Sequence, residues 1–179
     1  VLEDSHTAKE VGDEPYQLKH KFPDVPVVVS KSRVKAVRKI IREMPKVDAI
    51  ILDDAFQHRY VKPGLNILTT QYSRPFSEDF LLPAGNLREP KSAKKRADII
   101  VVTKSLVVLS PFEVGRLKEE IKPAKHQQMY FSYITYGDFV EFSNPGNTYP
   151  VKDFENHKLV VFTGIANPVP LQSYLERKC

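Results

Sequence analysis

Short runs of aliphatic residues alternate along this chain with amphipathic segments. The runs are unbroken and rich in β-branched residues, which is typical of strands that are buried on both faces of a parallel sheet. They predict five strands, at residues 25–29, 49–52, 65–68, 99–102 and 159–162.

The amphipathic segments predict four helices. In residues 32–44, apolar side chains recur at helical spacing, with Lys and Arg on the opposite face. Ser110 followed by Pro111 is typical of a helix start, because the hydroxyl can accept an orphan amide and proline fits the first turn. The predicted helices cover residues 12–21, 32–44, 111–122 and 168–177. Strands that alternate with helices predict an α/β fold with a mainly parallel sheet flanked by helices.

Residues 130–142 have a different pattern, in which aromatic residues alternate with small or polar ones. Gly137-Asp138 lies in the middle and predicts a hairpin turn. Asn, Pro, Gly and Thr in the segment that follows predict a loop. We therefore expect three regions: an α/β core at 1–128, a β-ribbon linker at 129–142 and the start of a second α/β lobe at 143–179.

Charge and composition narrow the possible partners. The 27 Lys and Arg residues outnumber the 22 Asp and Glu residues, which gives a net charge of +5. This charge suits an anionic partner such as a nucleic acid, a membrane surface or a phosphorylated glycolipid. The basic residues are scattered, however, and the densest run, residues 91–96, is interpreted as a solvated helix face.

Cysteine usage and hydropathy limit the compartment. The single cysteine, Cys179, excludes an internal disulfide framework and a cysteine zinc cluster, which fits a reducing compartment. No stretch approaches the roughly 18 apolar residues of a spanning helix, and the chain does not open on a signal-peptide pattern. Any membrane contact is therefore expected to be peripheral.

The candidate chemistry begins where the run at 49–52 ends in two carboxylates, Asp53 and Asp54. Phosphoryl-transfer enzymes use such a pair to hold magnesium beside a nucleotide. The next residues, 55–59, read Ala-Phe-Gln-His-Arg and place His58 four residues after Asp54. This density of polar residues exceeds that of an ordinary strand-end turn, so we interpret His58 as functional.

Two further segments carry acids and bases. Residues 11–15, Val-Gly-Asp-Glu-Pro, place Asp13 and Glu14 just before a helix, where they can cap it or act as a base and a ligand. Residues 82–90 form a proline-bounded loop with the charged pair Arg88-Glu89. Gly85 in this loop permits a close approach of the backbone.

Taken in this order, the motifs resemble those of the lipid A 4′-kinase (tetraacyldisaccharide 4′-kinase) family, especially its Bacteroides-like members. The family's Gly-Asp-Glu-Pro, Asp-Asp-Gly-Phe-Gln-His and Leu-Pro-Ala-Gly-x-Leu-Arg-Glu elements have counterparts at residues 12–15, 53–58 and 82–89. Weaker agreement at 96–98, 101–104 and 163–168 extends the resemblance over nearly the whole chain.

The resemblance implies a P-loop kinase-like fold and the use of ATP and Mg²⁺. The intact enzyme would move the γ-phosphoryl group of ATP to the 4′-hydroxyl of a tetraacylated glucosamine disaccharide 1-phosphate, the lipid A precursor. It would work at the cytoplasmic face of the bacterial inner membrane through peripheral contact. No nucleic acid and no protein partner are expected.

The resemblance also implies roles for individual residues. Asp13 matches the catalytic base, and Asp54 and His58 are the other expected catalytic residues. Asp53 and Asp54 match the magnesium-side pair. The expected substrate-binding residues are Glu14, Arg33, Gln57, Arg88 and Glu89.

Several family features have no counterpart in this sequence. The Gly-rich P-loop with its Lys and Ser/Thr, the N-terminal membrane-associating helix and the C-terminal histidine that pairs with the catalytic acid do not occur among the 179 residues. Both ends look cut, so we expect a fragment without kinase activity of its own, because positioning dominates phosphoryl transfer. Ala55 also stands where many relatives carry glycine.

Two other functions remain open at this point. Another P-loop NTPase would explain the strand and its acidic pair, but not Gln57-His58 or Arg88-Glu89. A noncatalytic module that binds RNA or anionic lipid would use the basic surface and aromatic residues such as Tyr130 and Tyr133.

Overall fold

The four helices predicted from the sequence are present in the computed structural model, which describes residues 1–3 and 5–179. Helix α4, Pro111–Ile121, starts as expected: the Ser110 hydroxyl accepts the Glu113 N–H, and the Glu113 carboxylate accepts the Ser110 N–H. None of the described helices is long and apolar enough to cross a membrane. The helices are α1 Ala8–Val11, α2 Asp13–Lys21, α3 Arg33–Glu43, α4 Pro111–Ile121 and α5 Val169–Leu175.

A three-stranded parallel sheet organises residues 1–132. Its strands are β1 Ile67–Gln71, β2 Ile99–Thr103 and β3 Gln128–Phe131, in the order β1-β2-β3. Parallel strands need a crossover connection, and α4 lies in the one between β2 and β3. The predicted mixed α/β architecture with a parallel sheet is confirmed.

Three of the five predicted strands are wrong. Residues 25–29, 49–52 and 159–162 form neither helix nor strand and belong to no sheet. Within residues 1–3 and 5–179, the backbone groups of these segments make two hydrogen bonds to other backbone groups: the Val27 carbonyl accepts the Leu2 N–H, and the Val25 N–H donates to the Phe22 carbonyl in a local turn. Ile51 and Val160 are 92% and 98% exposed. An aliphatic run becomes a strand only where another strand pairs with its backbone groups, so composition alone overpredicted the sheet.

Residues 133–179 form a second compact unit, described here by itself. Its two-stranded antiparallel ribbon joins β4 Phe139–Val140 to β5 Thr148–Tyr149. The hairpin turn predicted at Gly137-Asp138 is wrong, because the chain reverses between β4 and β5, where the Asn147 N–H donates to the Asn144 carbonyl over 2.9 Å.

The core of residues 1–132 lies around β2. Ala97, Ile100, Val102 and Ile121 are fully buried, and each large aliphatic side chain among them contributes about 1.5–3 kcal/mol through burial. Phe56 packs against this cluster. The core therefore anchors the segment that carries the acidic pair and the motif histidine.

The prediction of a solvated helix face at residues 91–96 holds only in part. The segment forms a 3₁₀ helix, Lys91–Arg96, in which Lys95 is exposed, whereas Lys91, Lys94 and Arg96 donate to backbone carbonyls. The Lys94 ammonium donates to the carbonyls of Ile121 and Lys122 at the end of α4, and Lys91 donates to the Ser77 carbonyl over 2.6 Å. Burial, followed by the neighbouring Lys122 and Lys95 charges, lowers the pKa of Lys94. A helix end leaves carbonyls unpaired, and a nearby ammonium satisfies them.

Candidate functional site

The acidic pair lies in a turn directly after the aliphatic segment 49–52. Asp54 has a φ of 44°, in the left-handed region, which aspartate tolerates better than most residues. Its N–H donates to Asp53 Oδ1 over 2.9 Å. The left-handed residue is Asp54 and not Ala55, so alanine is compatible with this turn.

Arg88 contacts this pair from 34 residues farther along the chain. Its Nη1 donates to Asp54 Oδ2 over 2.8 Å. The hydrogen bond to Asp54, and then the carboxylate charge, raise the pKa of Arg88. Both side chains are more than half exposed, at 59% and 64%. Water competes for such a pair, so it contributes little to stability and can be exchanged for a ligand.

Glu89, the neighbour of Arg88, is held differently. Its carboxylate accepts from the Arg96 guanidinium, and the same nitrogen of Arg96 donates to the Phe56 carbonyl over 3.0 Å. Two predicted motifs, at 53–58 and 82–90, are thus joined twice. Sequence reasoning assigned Arg96 no role in the site, and its only signal was the weak family agreement at residues 96–98.

Asp79 organises the loop at 82–90 and was also missed. This buried carboxylate accepts the N–H groups of Phe80 and Asn86, the Asn86 amide and the Arg74 guanidinium. The bond from the Phe80 N–H, and then the Asn86 side chain, lower its pKa. A Cβ at Gly85 would lie 2.3 Å from the Phe80 carbonyl oxygen and 2.4 Å from Asp79 Oδ1. The close backbone approach expected at Gly85 is therefore confirmed.

The Gly85→Ala substitution is expected to lower the free energy of unfolding by about 1–3 kcal/mol, because the new methyl must displace the backbone and Asp79. Urea titration of the purified chain measures this change. Gly64→Ala is the matched control, since a Cβ at Gly64 meets nothing within 4 Å. Equal urea midpoints for the two variants would contradict the crowding at Gly85.

His58 and Arg33, both predicted site residues, line one open cavity of about 380 Å³. Arg33 is the first residue of α3, whose first turn carries no acid and whose N-cap is Ser32. Lys31 adds a further cation, so the lining suits an anionic group. The residues that line the cavity are Lys31, Ser32, Arg33, Val34, His58, Tyr60 and Val61.

Asp13 and Glu14 open helix α2, directly after Gly12, whose φ of 95° suits glycine. Both acids are exposed. Within the described residues, neither carboxylate forms a hydrogen bond or an ion pair, and the Gln57 side chain forms none either. The structure therefore connects these three residues to the other motifs through no polar contact.

Asp53 and Asp54 are the predicted ligands of a magnesium ion. In the described part of the chain, no group of three or more His, Cys, Asp or Glu side chains could hold a metal. Magnesium commonly takes one or two carboxylates and completes its shell with water and substrate phosphates. The carboxylates of Asp53 and Asp54 are donors of the kind that such a site uses.

The known proteins to which this chain is similar share one description. The family model described as Tetraacyldisaccharide-1-P 4'-kinase matches residues 1–178. A tetraacyldisaccharide 4'-kinase from Phocaeicola vulgatus is 43% identical over 164 residues, which cover 90% of this chain and 45% of that protein. A tetraacyldisaccharide 4'-kinase from Parabacteroides distasonis is 42% identical over 175 residues, 96% of this chain and 47% of that protein.

A relative of lower sequence identity carries the same name. A tetraacyldisaccharide 4'-kinase from Flavobacterium johnsoniae is 38% identical over 179 residues, 99% of this chain and 52% of that protein. The chain thus spans about half the length of the curated relatives it matches. No solved structure matches it.

Proposed function

This chain belongs to the tetraacyldisaccharide-1-P 4'-kinase family, and we propose that its full-length gene product is a kinase of lipid A biosynthesis. The enzyme transfers the γ-phosphoryl group of ATP to the 4′-hydroxyl of a tetraacylated glucosamine disaccharide 1-phosphate. The hydroxyl oxygen forms a bond to the γ-phosphorus while the bond to the β-phosphate oxygen breaks, and ADP leaves. The hydroxyl proton passes to a base.

The pairing of two family motifs in space carries this proposal. Arg88 and Asp54, 34 residues apart, are joined by a 2.8 Å ion pair, and both carry charges that phosphoryl transfer uses. A guanidinium can neutralise phosphate oxygens, and a carboxylate can hold a metal next to them. Because the pair is exposed, each partner is free to contact a substrate instead.

Asp13 is the proposed base. Its carboxylate forms no hydrogen bond or ion pair in the described structure, so it is available to accept the proton of the 4′-hydroxyl. Asp53 and Asp54 are proposed to hold Mg²⁺, which neutralises charge on the transferred phosphoryl group when it is bound. Glu14 and Gln57 are proposed to contact the substrate beside these groups.

The cavity lined by Lys31, Arg33 and His58 is proposed to receive an anionic group of a substrate. Guanidinium and ammonium groups suit phosphate oxygens, and a phosphorylated disaccharide offers them. The net charge of +5 would also favour an anionic membrane surface. We propose that the gene product meets the cytoplasmic face of the inner membrane peripherally.

The full-length gene product, incubated with radiolabelled ATP and tetraacyldisaccharide 1-phosphate in detergent micelles, tests the proposal. We expect label in the lipid at the 4′-position, and none in a 4′-deoxy acceptor. A folded protein that hydrolyses ATP but labels neither lipid would contradict the proposal and favour another NTPase.

A further inference from the structure

The guanidinium of Arg96 is the point at which two motifs meet. One of its terminal nitrogens donates both to the Glu89 carboxylate and to the Phe56 carbonyl, the latter over 3.0 Å. The guanidinium carbon lies 4.6 Å from the centroid of the Phe56 ring, so the cation also stacks on that residue. Three different kinds of contact therefore converge on one side chain.

The Arg96–Glu89 ion pair is more buried than the neighbouring Arg88–Asp54 pair. The side chains of Arg96 and Glu89 are only 29% and 20% exposed, whereas those of Arg88 and Asp54 are 59% and 64% exposed. Water competes less for a half-buried pair, and the Phe56 ring restricts the guanidinium further. Arg88 can therefore change partners, while Glu89 is fixed in place.

Arg96 is itself anchored to the core. It precedes Ala97, which is fully buried and opens the turn into β2. Phe56 packs against the same core cluster. The contacts of Arg96 thus connect both motif loops to the buried core of residues 1–132.

We propose that Arg96 is a positioning residue for phosphoryl transfer, an inference that rests on the proposed function. It holds Glu89 and the Asp53–His58 segment in one fixed arrangement and touches neither nucleotide nor lipid. Lysine would keep the charge, but it lacks the flat guanidinium face that stacks on the Phe56 ring while one nitrogen donates to Glu89 and to the Phe56 carbonyl. A displacement of about 1 Å in a reacting group can cost about 100-fold in rate.

Steady-state kinetics of the full-length gene product test this role. Arg96→Lys is expected to lower kcat about 10- to 100-fold and to leave the KM for ATP nearly unchanged. Arg116→Lys is the control, because among the described residues Arg116 forms its ion pair with Glu120 within α4 and with no residue of either motif. It is expected to keep the kcat of the wild type, and the Tm of each variant shows whether a loss of stability accompanies a loss of kcat.

A double-mutant cycle separates positioning from general destabilisation. In a Glu89→Gln background, Arg96→Lys is expected to lower kcat by a smaller factor than in the wild type, because the ion pair to Glu89 is already lost and only the contacts with Phe56 remain. Losses that multiply, or an Arg96→Lys enzyme with wild-type kcat, would overturn the role.

Where Arg96→Lys fails to fold, Phe56→Leu serves instead, since it keeps the core contact and the carbonyl but removes the stacked ring. It is expected to lower kcat, and an unchanged kcat would overturn the role. A wild-type protein that labels no lipid would instead count against the proposed function.

Discussion

Replacing Asp13 with alanine is expected to lower the kcat of the full-length gene product by about 100- to 10,000-fold, the usual contribution of a positioned general base. The affinity for ATP is expected to change little, because the acid acts on the sugar hydroxyl and not on the nucleotide. Rapid-quench kinetics for kcat and equilibrium nucleotide binding measure the two effects separately.

The expected loss of kcat in Asp13→Ala would not come from unfolding. Asp13 is exposed at the first turn of α2, and its carboxylate has no polar partner among the described residues. Its only structural contribution is the favourable charge at a helix N-terminus, which is worth about 0.3–1 kcal/mol. Thermal unfolding of Asp13→Ala should therefore stay close to that of the wild type.

Two further variants sharpen the Asp13 experiment. Asp13→Asn keeps the shape but cannot accept the proton, so it should be as slow as the alanine variant. Asp24→Ala removes another exposed acid just after the same helix and should keep wild-type turnover. If Asp13→Asn and Asp24→Ala showed the same kcat, Asp13 would not be the base.

The helices were predictable because their signals are local. The Ser110 hydroxyl and the Glu113 carboxylate form a reciprocal cap within four residues, and the Ser32 hydroxyl accepts the Lys35 N–H in the same way. Apolar spacing then fixes which face is buried, as at Leu117 and Ile121. Such a helix can be predicted from residues within the helix and at its ends, without knowledge of distant parts of the chain.

The strands were less predictable because a sheet depends on distant partners. β1 continues through Thr69 and Thr70, beyond the last aliphatic residue, because its backbone pairs with β2. The buried Thr70 hydroxyl accepts the Phe76 N–H over 2.8 Å, a contact that a hydropathy pattern cannot show. Conversely, Ile51 lies in an aliphatic run that pairs with no strand, and it is exposed.

The candidate site also has a part that the sequence predicted and a part that it did not. The motif residues could be found in the sequence, since carboxylates, a histidine and a charged pair cluster within short segments. Their mutual contacts could not, because Arg88 reaches Asp54 across 34 residues and Arg96 reaches Phe56 across 40. The resemblance to the family identified the site residues. Their hydrogen-bond partners depend on how the loops pack on the core, which only the structure shows.

Replacing Asp54 with asparagine is expected to lower kcat about 100-fold or more at physiological Mg²⁺, since even the residues that support a metal ligand are typically worth 10- to 100-fold. The variant keeps the shape of the side chain but loses the charge that would hold the metal. Its amide oxygen can still accept the Arg88 hydrogen bond, so the contact between the two motifs should survive. A Mg²⁺ titration of lipid labelling should show partial recovery at high metal concentration.

Asp48→Asn is the matched control for the Asp54 experiment, because Asp48 is an exposed acid at the other end of the same aliphatic segment. It should keep both the turnover and the Mg²⁺ requirement of the wild type. Arg88→Met should lower turnover without raising the Mg²⁺ concentration that the enzyme requires. Removal of the guanidinium leaves the Asp54 carboxylate without its ion pair, so it can still hold the metal. An Asp54→Asn enzyme with the Mg²⁺ dependence of the wild type would exclude this carboxylate as a metal ligand and leave it only the role of orienting Arg88.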